Sequence, residues 1–217
     1  TVLLAPPGSG KSALLATIAI SLINKDQPVL GIKADLLSPD IRSEEDLRAH
    51  LGLPELPSRL VEDLSRLQPV YVLFDQLDAL ASQLDLHSDR LNVLLNLVRE
   101  LGRTPNVHIV LSARTFEFNH DVRLRAVEAE PVTLQLPAWQ EVAAELSKAG
   151  VNADTWPESA RELVRNPQAL KTFLSFASPQ EQQPFAKYQA MLEQLWRDKV
   201  AAAPTATEMS SLATHMA

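Results

Sequence analysis

The chain of 217 residues contains no cysteine. That excludes a disulfide framework and any zinc site built on thiolates, and nothing points to an oxidising compartment. Surplus positive charge is missing too: 20 Lys and Arg stand against 27 Asp and Glu, giving a net charge of −7 and a pI near 5.2. A field of that sign opposes non-specific binding to duplex nucleic acid, so direct nucleic-acid binding is not indicated. No apolar run is long enough to span a bilayer, and the first residues carry neither the charged segment nor the cleavage site of a secretory signal. Together these absences predict a cytoplasmic location and no membrane partner. His87, His108, His120 and His215 stand at no metal-ligand spacing with acids or with one another. There is no Gly-x-Ser-x-Gly elbow, no paired-carboxylate constellation and no internal repeat.

What is present is the run Ala5-Pro6-Pro7-Gly8-Ser9-Gly10-Lys11-Ser12. Gly8 and Gly10 admit backbone angles closed to other residues, so successive N–H groups can turn inward around phosphate oxygens. Lys11 supplies a point charge for the β- and γ-phosphates, and Ser12 a hydroxyl for Mg²⁺. Pro7, Gly8, Ser9, Gly10, Lys11, Ser12 and Ala13 are therefore the expected nucleotide-binding residues, with ATP or ADP and Mg²⁺ as the cofactors. Thr1 to Leu4 reads as a short buried strand before the loop, and Ala13 to Ile23 as a helix after it, apolar at Leu14, Leu15, Ile18 and Leu22. A helix placed there aims free N–H groups and the positive end of its dipole at the phosphate.

Further strands are expected at Val29 to Lys33, Val70 to Asp75, Val107 to Leu111 and Val132 to Leu136. Helices are expected from a start at Ser43, at Ser58 to Leu67 and at Asp89 to Leu101, the last ended by Gly102. From Ala138 onward the pattern becomes helical only, at about Ala138 to Ala149, Pro157 to Val164, Pro167 to Ala177 and Phe185 to Val200. The predicted fold is α/β, a parallel-sheet P-loop NTPase domain of ASCE type over 1–137, followed by an all-α lid over 138–203. Residues 204–217 read as linker and the opening of a further domain, with Ala201 to Thr207 as the linker tract. Both ends read as cut from a longer protein.

Phosphoryl transfer to water needs a phosphate cradle, a metal, a group that orients the water and a charge on the γ-phosphate. In an open parallel sheet ligands sit at the carboxyl ends of the strands, so Asp75 is delivered to the site as the second Mg²⁺ anchor beside Ser12. Asp78, within the same Asp-Gln-Leu-Asp turn, can accept from the attacking water or serve as a helix cap or structural acid. Arg114 can reach the γ-phosphate or form a surface salt bridge. Asp75, Asp78 and Arg114 are the catalytic candidates.

These segments resemble the STAND class of signal-transduction P-loop ATPases, within it the NACHT-like or a related bacterial branch. Val72-Leu73-Phe74-Asp75-Gln76-Leu77-Asp78-Ala79 is similar to the class's second motif, apolar residues followed by Asp-Gly-Leu-Asp-Glu. Gln76 replaces the usual Gly and Ala79 the usual Glu, which implies slow hydrolysis or reliance on Asp78. Ile109-Val110-Leu111-Ser112-Ala113-Arg114 resembles the sensor-1 strand, which implies a place for Arg114 at the γ-phosphate. Leu134-Gln135-Leu136-Pro137, with Glu141 and Leu146, resembles the passage into the lid. Arg165-Asn166-Pro167-Gln168-Ala169-Leu170 resembles the lid motif, which implies a place for Pro167 near the adenine. As an N1 proline after an Asn166 cap, Pro167 also fits a plain helix start.

The resemblance implies an ATP/ADP switch whose nucleotide state controls ligand-triggered homo-oligomerisation and an effector, with effector and sensor domains outside these residues and a role in bacterial defence among the settings. Three other readings stay open. One is an AAA+ or origin-binding-like ATPase acting on nucleic acid or protein, another a small-molecule or nucleotide kinase, and the third a non-hydrolysing scaffold that holds nucleotide as structural glue.

Overall fold

A computed structural model of the chain describes residues 1–81, 89–176 and 193. The expected helix at Phe185 to Val200 (Glu193 aside), the linker at Ala201 to Thr207, the segment 204–217, His87 and His215 lie outside the described residues. Two compact units divide between Gln135 and Leu136, where the sequence places the boundary near Pro137.

The first unit is built on five strands: β1 (Val2–Ala5), β2 (Val29–Lys33), β3 (Val70–Asp75), β4 (Val107–Arg114) and β5 (Pro131–Thr133). They form one sheet in the order β2-β3-β4-β1-β5, and every pairing is parallel. β4 therefore stands between the strand that feeds the Gly-rich loop and the strand that ends at Asp75. Strands that all run parallel need crossover connections, and α1 (Lys11–Ile23), α2 (Glu44–Leu51), α3 (Pro57–Ser65) and α5 (Asp89–Leu101) lie in the connections between successive strands. Strand residues alternate between faces. Val2, Leu4, Val72, Phe74, Leu111 and Ala113 join the core cluster that includes Leu91, Leu94 and Leu95 of α5. Leu3 and Leu73 are also buried, and α1 packs across β1, β2 and β3 with Leu15 buried.

Four short elements were not anticipated: a 3₁₀ turn at Ala34–Leu36, α4 (Asp78–Ala81), α6 (Thr115–His120) and α7 (Val122–Arg125). β4 also runs three residues past its expected end at Leu111, so Arg114 is the last residue of the strand rather than a residue beyond it. Ser112 and Ala113 are 0% and 1% exposed. The register carries Ala5 opposite Arg114, and this pairing extends the strand. β5 covers 131–133 instead of 132–136 and is solvent-exposed, an edge strand whose ladder ends where Leu134 N donates to Leu4 O at 2.8 Å.

The described part of the second unit is helical: α8 (Trp139–Lys148), α9 (Glu158–Arg165) and α10 (Pro167–Phe176). Its core includes Val142, Leu146, Val151, Trp156, Ala160, Val164 and Phe173, with Trp156 and Phe173 edge to face at 5.2 Å between ring centres. Arg165 Nε donates to Pro137 O at 2.9 Å, which ties the end of α9 to the start of the unit. Among the described residues no helix is long and apolar enough to cross a membrane.

Candidate nucleotide site

The loop between β1 and α1 takes its shape from two glycines. Gly8 and Gly10 have φ of 75° and 89°, the left-handed region that side chains with a Cβ resist. Ser9, 4% exposed, closes the turn by donating from Oγ to Pro6 O at 2.8 Å. Gly10 caps α1, and Leu14 N donates to its carbonyl. Lys11 and Ser12 thus open the helix, while Ala13 in the same turn is exposed.

Lys11 is 8% exposed. Its ammonium donates to Ala5 O at 2.9 Å and Pro6 O at 3.0 Å, so the side chain folds back under its own loop. Burial pushes the Lys11 pKa below its ordinary value; Asp78 and Asp75 pull it up, and Arg114 adds to the depression. A desolvated ammonium at the loop suits a polyanion, whose charge offsets what burial removed.

At the carboxyl ends of β3 and β4 the side chains are wired through Ser112, which is fully buried. Ser112 Oγ donates to Asp75 Oδ1 at 2.6 Å and accepts from Gln76 N at 2.9 Å, and its carbonyl accepts from Leu77 N at 3.1 Å. Ser112 therefore fixes both Asp75 and the turn that follows it. Gln76 in that turn has φ of 58°, a left-handed conformation for a residue with a Cβ. That backbone demand gives a physical reason for Gly at the corresponding position of the motif it resembles.

Asp78 begins α4 and is 3% exposed. Its Oδ1 accepts from Arg114 N at 3.1 Å, and its Oδ2 pairs with Arg114 Nε at 3.1 Å. Burial pushes the Asp78 pKa up, against the pull of the Arg114 guanidinium and N–H. In this arrangement both its oxygens are engaged with Arg114. The Arg114 side chain is 46% exposed and also meets Glu117, Nη1 to Oε1 at 3.5 Å. The second oxygen of Glu117 is buried with no hydrogen-bond partner among the described residues.

Asp75, Asp78, Arg114 and the loop residues Pro7 to Ser12 thus converge on one edge of the first unit, at the ends of β1, β3 and β4. Pro167 belongs to the other unit. It is the first residue of α10, behind an Asn166 whose Oδ1 accepts from Gln168 N at 3.0 Å and Ala169 N at 3.3 Å. Sequence reasoning missed Glu117, three residues past Arg114 on a helix too short to show a periodic pattern. It also missed Asp35, in the 3₁₀ turn that follows β2. The parallel register puts Lys33 opposite Asp75 and so carries Asp35 to the same end of the sheet, which no signal in the local sequence announces.

Among the described residues no cluster of three or more His, Cys, Asp or Glu is arranged to hold a metal. The donors at this edge, the Ser12 hydroxyl and the Asp75 carboxylate, are hard oxygens of the number expected where phosphate and water complete a Mg²⁺ shell. They fit that ion.

No protein-family model matches the chain, and no curated protein matches it. Its fold is similar to that of a Walker-type ATPase of Pyrococcus abyssi, at 16% identity and a TM-score of 0.52 over 99% of this chain and 71% of that one. It is similar as well to AMPPCP-bound DnaA from Aquifex aeolicus, at 11% identity and a TM-score of 0.57 over 93% and 63% of the two chains. A structure of the E. coli HORMA:CdnC:Trip13 complex also matches, at 17% identity and a TM-score of 0.51 over 90% and 72%. The chain has the P-loop NTPase fold, with a five-stranded parallel sheet and surrounding helices.

Proposed function

We propose that this chain is the nucleotide-binding core of a STAND-like, Mg²⁺-dependent ATPase that works as a slow switch. The observation that carries the reading is the convergence, at the carboxyl ends of β1, β3 and β4, of the desolvated Lys11 under its loop, Asp75 locked by Ser112, and the Asp78–Arg114 pair. The loop amides and Lys11 would hold the phosphates, and Ser12 and Asp75 would hold Mg²⁺, which would supply charge neutralisation to the phosphates. Arg114, half-exposed and shared between Asp78 and Glu117, exchanges an acidic partner for the γ-phosphate and so reports its presence. With Ala79 in place of the usual Glu, and with Asp78 occupied by Arg114, the group that would orient the attacking water is weakly provided, and turnover is slow.

The switch itself needs a second body whose state follows the nucleotide. The second compact unit, whose described part is helical, is that body in this reading, with Pro167 as its adenine contact by resemblance. Ligand sensing and the effector lie outside these residues. Oligomerisation accompanies the ATP state, and the cytoplasm is the setting, bacterial defence against phage or another invader being one use. A second reading, an AAA+ or origin-binding-like ATPase, has in its favour the fold likeness to DnaA. It is weakened by Gln76 following Asp75, where an Asp-Glu pair would be expected.

Calorimetric titration with ATP tests the site. Lys11→Ala is expected to weaken ATP binding at least tenfold. Asp75→Asn is expected to keep its affinity in EDTA and to lose the gain that Mg²⁺ brings. Unchanged ATP affinity in the Lys11 variant would remove the loop from the assignment. Phosphate release separates switch from scaffold: none at all from the full-length protein with its activating ligand favours a nucleotide-bound scaffold.

A further inference from the structure

Gln76 keeps a side chain at a backbone position that favours glycine, and that side chain spans the gap between two others. One end of its amide lies 3.4 Å from Ser12 Oγ. The other end faces the Asp35 carboxylate, and with the nitrogen on that side it donates to both oxygens, at 2.8 and 3.2 Å. A carboxylate only accepts, so Asp35 dictates this setting of the amide. The amide oxygen is then the atom turned toward Ser12.

That orientation has a chemical use. A hydroxyl that ligates Mg²⁺ does so through an oxygen lone pair, and its hydrogen must point away from the ion to an acceptor. Without an acceptor the hydroxyl pays for an unsatisfied donor inside the site. We infer that Gln76 is a positioning residue for Ser12, its amide oxygen accepting the Ser12 hydroxyl hydrogen so that the lone pairs face the metal, with Asp35 locking the amide in that sense. Gln76 then serves the metal shell from a left-handed backbone position in the turn after Asp75. A left-handed non-glycine backbone is disfavoured, and a hydrogen bond held in the partly buried site offsets that. The three residues lie on three different segments, the start of α1, the turn after β3 and the 3₁₀ turn after β2. Asp35 also pairs with Lys33 at 3.4 Å, which holds the carboxylate at that edge.

This inference rests on the reading of Ser12 as a Mg²⁺ ligand given above. Its test is the affinity of a non-hydrolysable ATP analogue, measured by calorimetry with Mg²⁺ and with EDTA, in the wild type, Gln76→Gly, Asp35→Asn and the double variant. Gln76→Gly relieves the positive φ, so it is expected to fold at least as stably as the wild type and to keep its affinity in EDTA. The Mg²⁺-dependent gain is expected to shrink about five- to tenfold, the worth of about one hydrogen bond. Asp35→Asn no longer dictates the amide setting and should lose a smaller part of the gain. In the Gln76→Gly background the same Asp35→Asn change should cost nothing more, since its effect travels through the amide. A merely structural role for Asp35 would leave its effect in both backgrounds and overturn the relay. Gln76→Gly with the full Mg²⁺ gain overturns the inference while leaving the nucleotide site standing, and an equal loss with Mg²⁺ and EDTA overturns it as loop damage. A wild type whose binding ignores Mg²⁺ removes Ser12 from the metal shell and takes the inference with it.

Discussion

Asp78 is a carboxylate that the fold buries and then has to hold. Its side chain is 4% exposed, and the Arg114 guanidinium and backbone N–H both reach it at 3.1 Å. Burial raises its pKa and Arg114 pulls it back. Folding therefore favours the protonated acid, so the group's contribution to stability is present at low pH and is lost as pH rises through the raised value. Arg114→Ala removes the cation that limits this loss. The variant is expected to be less stable than the wild type by about 1–2 kcal/mol at neutral pH, a discounted figure because Arg114 is half-exposed. The deficit should shrink as pH falls through the acid range and Asp78 takes up its proton. Urea unfolding of both proteins across that range measures it, and a deficit independent of pH would mean that Asp78 is not the group responsible. The residues visible in the sequence, Lys11, Ser12, Asp75, Asp78 and Arg114, are those whose role follows from a motif or a strand end. Glu117, Asp35 and the amide of Gln76 reach the same edge through parallel register and a left-handed turn, and neither is written in local sequence.

At the scale of elements, β3, β4 and β1 carry the site, and each was legible because a buried parallel strand is a continuous apolar run. Leu111 is 2% exposed, in register with Val2 on one side and Phe74 on the other. Leu111→Ala leaves a cavity at the centre of the sheet and is expected to cost about 2–5 kcal/mol. The cost reaches function, because Ser112, which holds Asp75, is the next residue. Ser43→Ala at the start of α2 is the contrasting case. It breaks a capping box in which Ser43 Oγ accepts from Asp46 N and Asp46 accepts from Ser43 N, so the loss is about 1 kcal/mol with nucleotide affinity unchanged. Denaturant titration with and without nucleotide separates the two variants, and equal losses would mean that the central sheet repacks. The short helices α4, α6 and α7 were illegible for a physical reason. At four to six residues they show no periodic face, and strand ends and caps specify them: Asp121 accepts from Arg123 N and Leu124 N to start α7. The extension of β4 to Arg114 was likewise set by pairing with β1, which no window along one strand contains.

Among the described residues the α/β core and the helical core around Trp156 and Phe173 have no residue in common, so each can melt as a cooperative unit, and the proposed mechanism can be tested on both. Phe173→Ala deletes a 2% exposed ring packed edge-on against Trp156 and is expected to destabilise the helical unit by about 3–5 kcal/mol. Differential scanning calorimetry then assigns the transitions: the one that falls in this variant belongs to the helical unit. Mg²⁺ and a non-hydrolysable ATP analogue, added at about 100 times Kd, raise the α/β transition by about 2.7 kcal/mol of stability through mass action alone. Lys11→Ala is expected to abolish that rise. A switch demands more, because a nucleotide bound to the α/β unit transmits nothing unless the free energy of the helical unit also changes. The transition lowered by Phe173→Ala must therefore move with nucleotide in the wild type and stay still in Lys11→Ala. If only the α/β transition moves, nucleotide stabilises that unit by itself, and the scaffold reading replaces the switch.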